Sequence, residues 1–419
     1  MQLKIFYGWW IVGACFFIAF YVSSVVFFGF TVFFEPLVQE FGWSYTQVSF
    51  ASSLRGMEMG IISPMIGYLV DRFGSRKLLL SGTATVGIGL ICLSLTNSLF
   101  MFYLAMLLVS FGGGGCTSVV TMTAVSRWFR KHIGKALGIM SAGFGISGLM
   151  VPVIVILVDT VGWRTSLVIL GLGMWIIGIP MSFIVRDSPE KYGYLPDGAP
   201  LQDITPQHES HITPPAVRMR DLLKTRSFFF LNLTECIRFT VLASVILHIM
   251  PHLSESGISR SSAGIIAAAI PLISIGGRFG FGWLGDIIDK RFVTSMAYCC
   301  MAVGMIALIF VNTTWGISIF FLSFPAGFGG LSVLRGTILR EYYDSRNFGS
   351  MMGIMMGFAA VGGIIGPTLT GWIFDTVGNY RFIWGIFSLL LFSAVPLILG
   401  IRPHADILAK KPVPIARRQ

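Results

Sequence analysis

Long apolar runs recur along the chain, each closed by a short group of charged or turn-forming residues. The first reads YGWWIVGACFFIAFYVSSVVFFGFTVFF, from Tyr7 to Phe34. Such runs are apolar on every face, whereas a surface helix of a soluble protein keeps one polar face. About 20 apolar residues, rising ~1.5 Å each, cross a ~30 Å hydrocarbon layer as an α-helix. The pattern predicts twelve helices, over 7–34, 46–70, 77–97, 99–126, 134–158, 163–185, 228–250, 261–284, 291–312, 315–341, 348–374 and 380–401. The one long polar interruption, Arg186 to Ser227, is rich in Pro, Asp, Glu and His and reads as a linker. It ends in AVRMRDLLKTRSFF, which predicts a short basic amphipathic helix lying on a membrane surface. The expected organisation is therefore an N-terminal six-helix unit (1–185), a linker (186–227), a C-terminal six-helix unit (228–402) and a tail (403–419).

Composition agrees with a lipid environment. Apolar residues make up 54% of the chain, charged residues 12%, and the mean hydropathy is +0.79. A soluble domain carries about 25% charged residues. The net charge of +11 raises the question of nucleic acid. Its distribution answers it. With the N-terminus inside, 23 of the 30 basic residues fall in cytoplasmic segments and three, Arg164, Arg260 and Arg381, in outer loops. This asymmetry is the positive-inside pattern. It predicts a multi-pass protein of the plasma or inner membrane with both termini cytoplasmic, and leaves nucleic acid no part. No cleaved leader is expected, because the first apolar run lacks a small-residue cleavage site. All six cysteines lie in apolar segments without metal-site spacing and read as small buried residues.

The chain is duplicated. GYLVDRFGSRK (Gly67–Lys77) is answered by GWLGDIIDKR (Gly282–Arg291), and Asp71 and Asp286 are 215 positions apart. Gly138 and Gly353, Gly148 and Gly363, and Pro152 and Pro367 keep that offset. Glycine spacing alone also serves close helix packing, but a constant offset over most of the chain marks a parallel repeat. In transporters such halves meet at a central site near the bilayer midplane.

The loop Gly67–Lys77 resembles the signature of the major facilitator superfamily: a Gly, then Asp-Arg, then Gly and a basic pair. The resemblance implies an all-α membrane fold of twelve transmembrane helices in two pseudo-symmetric six-helix bundles. It also implies that Asp71, Arg72 and Arg76, with Asp286 in the second half, belong to a charge network that holds one face closed. WFRKHIGKALGIMSAGFGISG (Trp128–Gly148) is similar to the monocarboxylate transporter signature, through Trp128, Phe129, Lys131, Ala136, Gly138, Ala142, Gly143 and Gly148. YGWWIV at Tyr7 is a weaker echo of the same family. That resemblance implies carriage of an organic anion, often with a proton.

Four arginines lie within spans: Arg55, Arg238, Arg278 and Arg335. A charge at mid-bilayer costs at least ~2.5 kcal/mol, so each is a functional candidate. Arg278, eight residues before Asp286, lies ~12 Å from the inner face. A guanidinium suits a carboxylate because its planar fork makes two parallel hydrogen bonds and stays charged. The monocarboxylate transporters carry a substrate-binding arginine at the matching place on span eight, which assigns that role to Arg278. Mammalian members place an acid one turn earlier, where this chain has Ser274, and the family's lysine on span one has no counterpart. A proton, if coupled, needs another carrier. Glu235 is one turn from Arg238 on span seven, and Glu58 lies beside Arg55 on span two; both are candidates. Arg238 is a second candidate substrate contact, or half of a permanent pair with Glu235. Arg55 and Arg335 read as gating or structural charges, Arg335 with a second anion contact as the alternative. Thr117, after the glycine run FGGGGC, and His248, near the outer end of span seven, are further candidate substrate contacts.

No metal set, nucleophile–base pair or cofactor fingerprint is present, so an enzyme is not expected. The reading is a secondary carrier of a small organic anion, a monocarboxylate moved with a proton by alternating access, working as a monomer in the lipid bilayer. Organic-anion antiport is the alternative, and a non-transporting receptor on the same fold the alternative of another class.

Overall fold

In a computed structural model the described residues are 6–401, apart from 44, 199–222, 224, 259 and 344–346. Within helices the side chains of 31, 45, 46, 49–59, 260–265 and 268 also lie outside the description. The expected amphipathic helix before span seven, the tail, and the side chains of Arg55 and Glu58 fall there.

The first span begins as α1 (Tyr7–Val22), passes through a π-turn at Ser23–Phe28 and a 3-10 turn at Gly29–Phe33, and is followed beyond the apolar stretch by α2 (Phe34–Phe41). The second and third are α3 (Tyr45–Phe73) and α4 (Ser75–Ser94). The fourth is split into α5 (Leu99–Gly114) and α6 (Ser118–Trp128), and the fifth into α7 (Ile133–Ile146) and α8 (Val151–Val161). The sixth is α9 (Trp163–Ile184). The second half comprises α10 (Arg226–Glu255), α11 (Arg260–Ile287), α12 (Lys290–Ile309), α13 (Thr314–Tyr342), α14 (Phe348–Val377) and α15 (Arg381–Leu399). Among the described residues these make twelve helical units, six in each half, as expected, and ten of them are long and apolar enough to cross a membrane.

Several helices outrun their predicted spans. α10 and α14 have 30 residues each, roughly 45 Å of helix, which exceeds a ~30 Å hydrocarbon layer and carries their ends into the headgroup zone. Polar caps set the starts: Ser98, Thr225 and Thr313 accept an amide hydrogen bond at the N-termini of α5, α10 and α13. The breaks also have partners. Ser24 Oγ lies 2.7 Å from the Phe20 carbonyl and 3.0 Å from that of Ser147. It thereby ties the π-turn of the first span to the interruption of the fifth.

The halves meet chiefly along two helix pairs, α3 with α14 and α7 with α11. Glycines make this possible. A Cβ at Gly67 would strike the Gly349 backbone, and one at Gly282 would lie 2.7 Å from the Gly134 carbonyl oxygen. Further along, a Cβ at Gly138 would meet the Arg278 carbonyl at 2.9 Å, and one at Gly353 would strike that of Ser63. These contacts obey the 215-residue offset. Among the described residues a Cβ at Gly148 or Gly363 meets nothing within 4 Å. Backbone contact between the halves is therefore closest toward the end of the molecule where the linker begins.

Candidate functional site

Three arginines of the second half converge on the space between the halves. Arg278 on α11 is 6% exposed, Arg238 on α10 1% and Arg335 on α13 9%. Glu235, 3% exposed, is the carboxylate among them. Arg238 grips it with two bonds, Nε to Oε2 at 2.9 Å and Nη2 to Oε1 at 2.6 Å. Their spacing of three residues puts them on adjoining faces of one helix. Arg335 reaches Glu235 Oε1 from α13 at 2.9 Å, and its Nη2 donates to Ser118 Oγ of the first half at 3.3 Å. Arg335 thus joins the central cluster, beside Glu235.

Arg278 differs from the other two. Its Nη1 donates to the Ser141 carbonyl of α7, in the opposite half, at 2.7 Å. Its Nε is buried without a hydrogen-bond partner, and no carboxylate among the described residues pairs with it. The guanidinium carbon lies 5.7 Å from the centre of the Phe328 ring. Among the described residues Arg238 Nη1 and Arg335 Nε also have no hydrogen-bond partner. Among the described residues, three buried guanidinium groups stand against one buried carboxylate, which only Arg238 and Arg335 touch; the excess of two positive charges is costly in a low-dielectric interior unless an anion joins them. Ser274, one turn before Arg278, donates to the Pro271 carbonyl at 2.6 Å and supplies no charge.

Thr117 and His248 sit elsewhere. Thr117 donates to the Gly114 carbonyl at 2.9 Å, closing the break in span four. Its neighbour Ser118, which the glycine run did not single out, faces Arg335. His248 has both ring nitrogens engaged inside the second half, one 3.3 Å from the Tyr380 hydroxyl and the other 3.2 Å from the Pro367 carbonyl. Glu58 and Arg55 lie on α3, their side chains outside the description.

A second cluster closes the linker end. Asp71 accepts from the amides of Gly349 and Ser350 at 3.0 and 2.7 Å and from the Ser350 hydroxyl at 2.8 Å. It thereby takes free N–H groups at the start of α14, where the helix dipole also favours an anion. Asp286 does the same at the start of α7, with the amides of Gly134 and Lys135 at 2.6 and 2.8 Å. The basic partner of Asp71 is Arg127, at 3.5 Å, which the resemblance did not name. Arg72 instead donates to the Tyr68 hydroxyl at 3.4 Å, and the Arg76 guanidinium lies over the Phe183 ring. Arg340 adds a further tie across the halves, to the Ser126 carbonyl at 2.7 Å. Nearby, Lys290 is paired with Glu341.

At the opposite end Glu40 joins Arg164 at 2.7 Å and the Trp163 indole at 2.6 Å. The Arg164 hydrogen bond, followed by that of Trp163, holds the Glu40 carboxyl below its usual range.

The comparisons agree with this architecture. The sequence pattern of the Major Facilitator Superfamily matches residues 10–333 and 239–417. Monocarboxylate transporter 12 of Xenopus laevis is 25% identical over 97% of this chain and 91% of its own. Human monocarboxylate transporter 2 is 23% identical over 97% of this chain and 87% of its own. Among solved structures, the proton:xylose symporter XylE superposes with a TM-score of 0.76 at 15% identity, covering 94% of this chain and 95% of its own. The human organic anion transporter MFSD10 does so with a TM-score of 0.72 at 11% identity, covering 93% and 99%. With the family pattern spanning most of its length and relatives that are transporters, the chain belongs to the Major Facilitator Superfamily.

Proposed function

We propose that this protein is a secondary carrier of a small organic anion of the monocarboxylate class, working by alternating access as a single chain with both termini in the cytoplasm. One observation carries the reading: Arg278 is buried between the halves with no carboxylate partner among the described residues and with a neutral carbonyl, Ser141, as its hydrogen-bond acceptor. A substrate carboxylate offers that guanidinium a stronger, charge-assisted partner. Because Ser141 belongs to the other half, the exchange of partners links binding to the relation between the halves. The excess positive charge of the cluster favours an anion over a neutral sugar or a cation.

The coupling ion has two readings. Proton symport needs an acid free to take a proton, and Glu235 and Glu58 are the candidates. Exchange of one organic anion for another is favoured by the engagement of Glu235 with two arginines at once. A proton there would displace charge-assisted bonds and leave three cations without a counter-charge.

Uptake into proteoliposomes tests both points. Arg278→Ala and Arg278→Lys are expected to lose at least ~100-fold of monocarboxylate uptake while inserting normally, since a bidentate charged contact is worth several kcal/mol. Full uptake by a well-inserted Arg278→Ala protein overturns the reading. Stimulation by an imposed proton gradient supports symport; dependence on internal counter-anion supports exchange.

A further inference from the structure

The first residues of the linker form a folded hook beneath the first half. The Arg186 guanidinium lies 4.1 Å from the ring centres of both Tyr7 and Tyr192. Its carbonyl accepts the Trp128 indole N–H at 2.8 Å. The Pro189 carbonyl accepts the amides of Tyr192 and Tyr194 at 2.9 and 3.2 Å. The hook ends at Asp197, whose φ is +63°, and among the described residues it alone has positive φ without being glycine. That region is disfavoured for a residue with a Cβ. A residue held there invites the question of what its side chain does.

The Asp197 carboxylate accepts three successive backbone amides of the loop between α6 and α7. Oδ2 takes those of Arg130 and Lys131 at 3.0 and 2.7 Å, and Oδ1 faces that of His132 at 3.4 Å. Immediately afterwards, the amides of Gly134 and Lys135 go to Asp286 of the other half. Two carboxylates therefore share one short stretch of backbone. Asp197 comes from the linker that follows the stretch's own half, and Asp286 from the opposite half.

The repeat shows why the second contact needs help. At the equivalent place Asp71 has two amides and the Ser350 hydroxyl. The position matching Ser350 is Lys135, which has no hydroxyl to offer. The α7 contact is one hydrogen bond poorer, and it is the one whose approach is braced by the linker.

We propose that Asp197 is a positioning residue for closure of the linker end. It fixes the loop so that α7 starts where Asp286 can take its first amides, and so sets how firmly the halves close there. This rests on the carrier reading, in which that contact forms and breaks during each cycle. Without the carboxylate, the three loop amides turn to water, the start of α7 loosens, and Asp286 loses a preorganised partner.

Hydrogen exchange read by mass spectrometry on the full chain tests this without reference to transport. Asp197→Gly removes the carboxylate and relieves the backbone conformation; Asp197→Asn keeps one acceptor oxygen. In the Gly variant the amides of Arg130–His132 are expected to exchange about tenfold faster. The amides of Gly134 and Lys135, which do not touch Asp197, are expected to speed up as well. Asn is expected to fall between Gly and the parent, and it decides the matter if the Gly variant does not insert. Asp286→Asn should speed exchange at Gly134 and Lys135 while sparing Arg130–His132. Unchanged protection at Gly134 and Lys135 in the Asp197 variants overturns the proposal, as does faster exchange spread evenly over all helices. If the protection changes as expected yet no anion is carried, the positioning role stands and the carrier reading fails.

Discussion

Asp71 and Asp286, 215 positions apart, make the same contact on the two sides of the molecule: each takes the first amides of a helix in the opposite half. Helix-capping contacts of this kind are worth about 0.5–2 kcal/mol each. The extra hydroxyl bond at Ser350 makes the Asp71 side the stronger one.

Asp71→Asn is therefore expected to loosen the linker end more than Asp286→Asn. Cysteine-labelling rates from the linker side check this, with Ser350→Ala expected to bring the Asp71 contact down to the level of its counterpart. Equal effects of the two Asn variants would remove the ranking.

Glu235 holds Arg238 and Arg335 together, so its loss leaves buried cations unmatched. Breaking such a buried pair costs about 3–5 kcal/mol. Glu235→Gln is expected to lower the melting temperature markedly. Adding Arg335→Gln to it is expected to recover a large part of that loss, because one unmatched charge goes with it. Additive losses in the double variant would show that the two residues do not act as a unit.

Gly138 and Gly353 lie against backbone of the other half, at Arg278 and Ser63. Leucine at either position is expected to abolish uptake while leaving insertion intact, since each half keeps its own core. Gly148→Ala, at a position where a Cβ meets nothing within 4 Å, is expected to transport normally. Uptake by the three variants in proteoliposomes, normalised to inserted protein, checks the contrast.

The Glu40–Arg164 contact gives a pH signature. The folded carboxyl is held below its ordinary value of 4.5. Its contribution is thus fully present above that value and is lost as pH falls through the lower, folded one. Melting temperature should decline on acidification below about pH 4.5, and Glu40→Gln should flatten part of that decline, by roughly 1–2 °C. The side chain is 42% exposed, so added salt should shrink the effect.

Much of this was legible in the sequence because the repeat is itself a map of contacts. The offset linking Asp71 to Asp286 and Gly138 to Gly353 also relates their partners, Gly349 to Gly134 and Ser63 to Arg278. Depth along a helix was legible too, and it placed Arg278 and Glu235 in the interior. What a depth count omits is direction. Arg335 reads as a gate when counted along α13 alone, yet it lies about two turns before the C-terminus of α13 and Glu235 about two and a half turns after the N-terminus of α10, and the fold brings them together. Thr117 and Ser118 differ by one position across a helix break, and only the position of that break decides which hydroxyl meets Arg335. Arg127 as the partner of Asp71 depends on the approach of α6 to α3, which no local pattern encodes.

Glu235, Arg238, Arg278 and Arg335 all belong to the second half, and position 63, which answers Arg278 in the first, is a serine. Among the described residues the two halves thus divide their labour. The second holds the buried ions of the centre, and the first offers them the Ser141 carbonyl and the Ser118 hydroxyl. On the proposed carrier reading, an anionic cargo would meet its charged partners from one side only. That reading makes cargo choice a property of the second half: a chimera joining it to the first half of a relative should take its choice of cargo from the second.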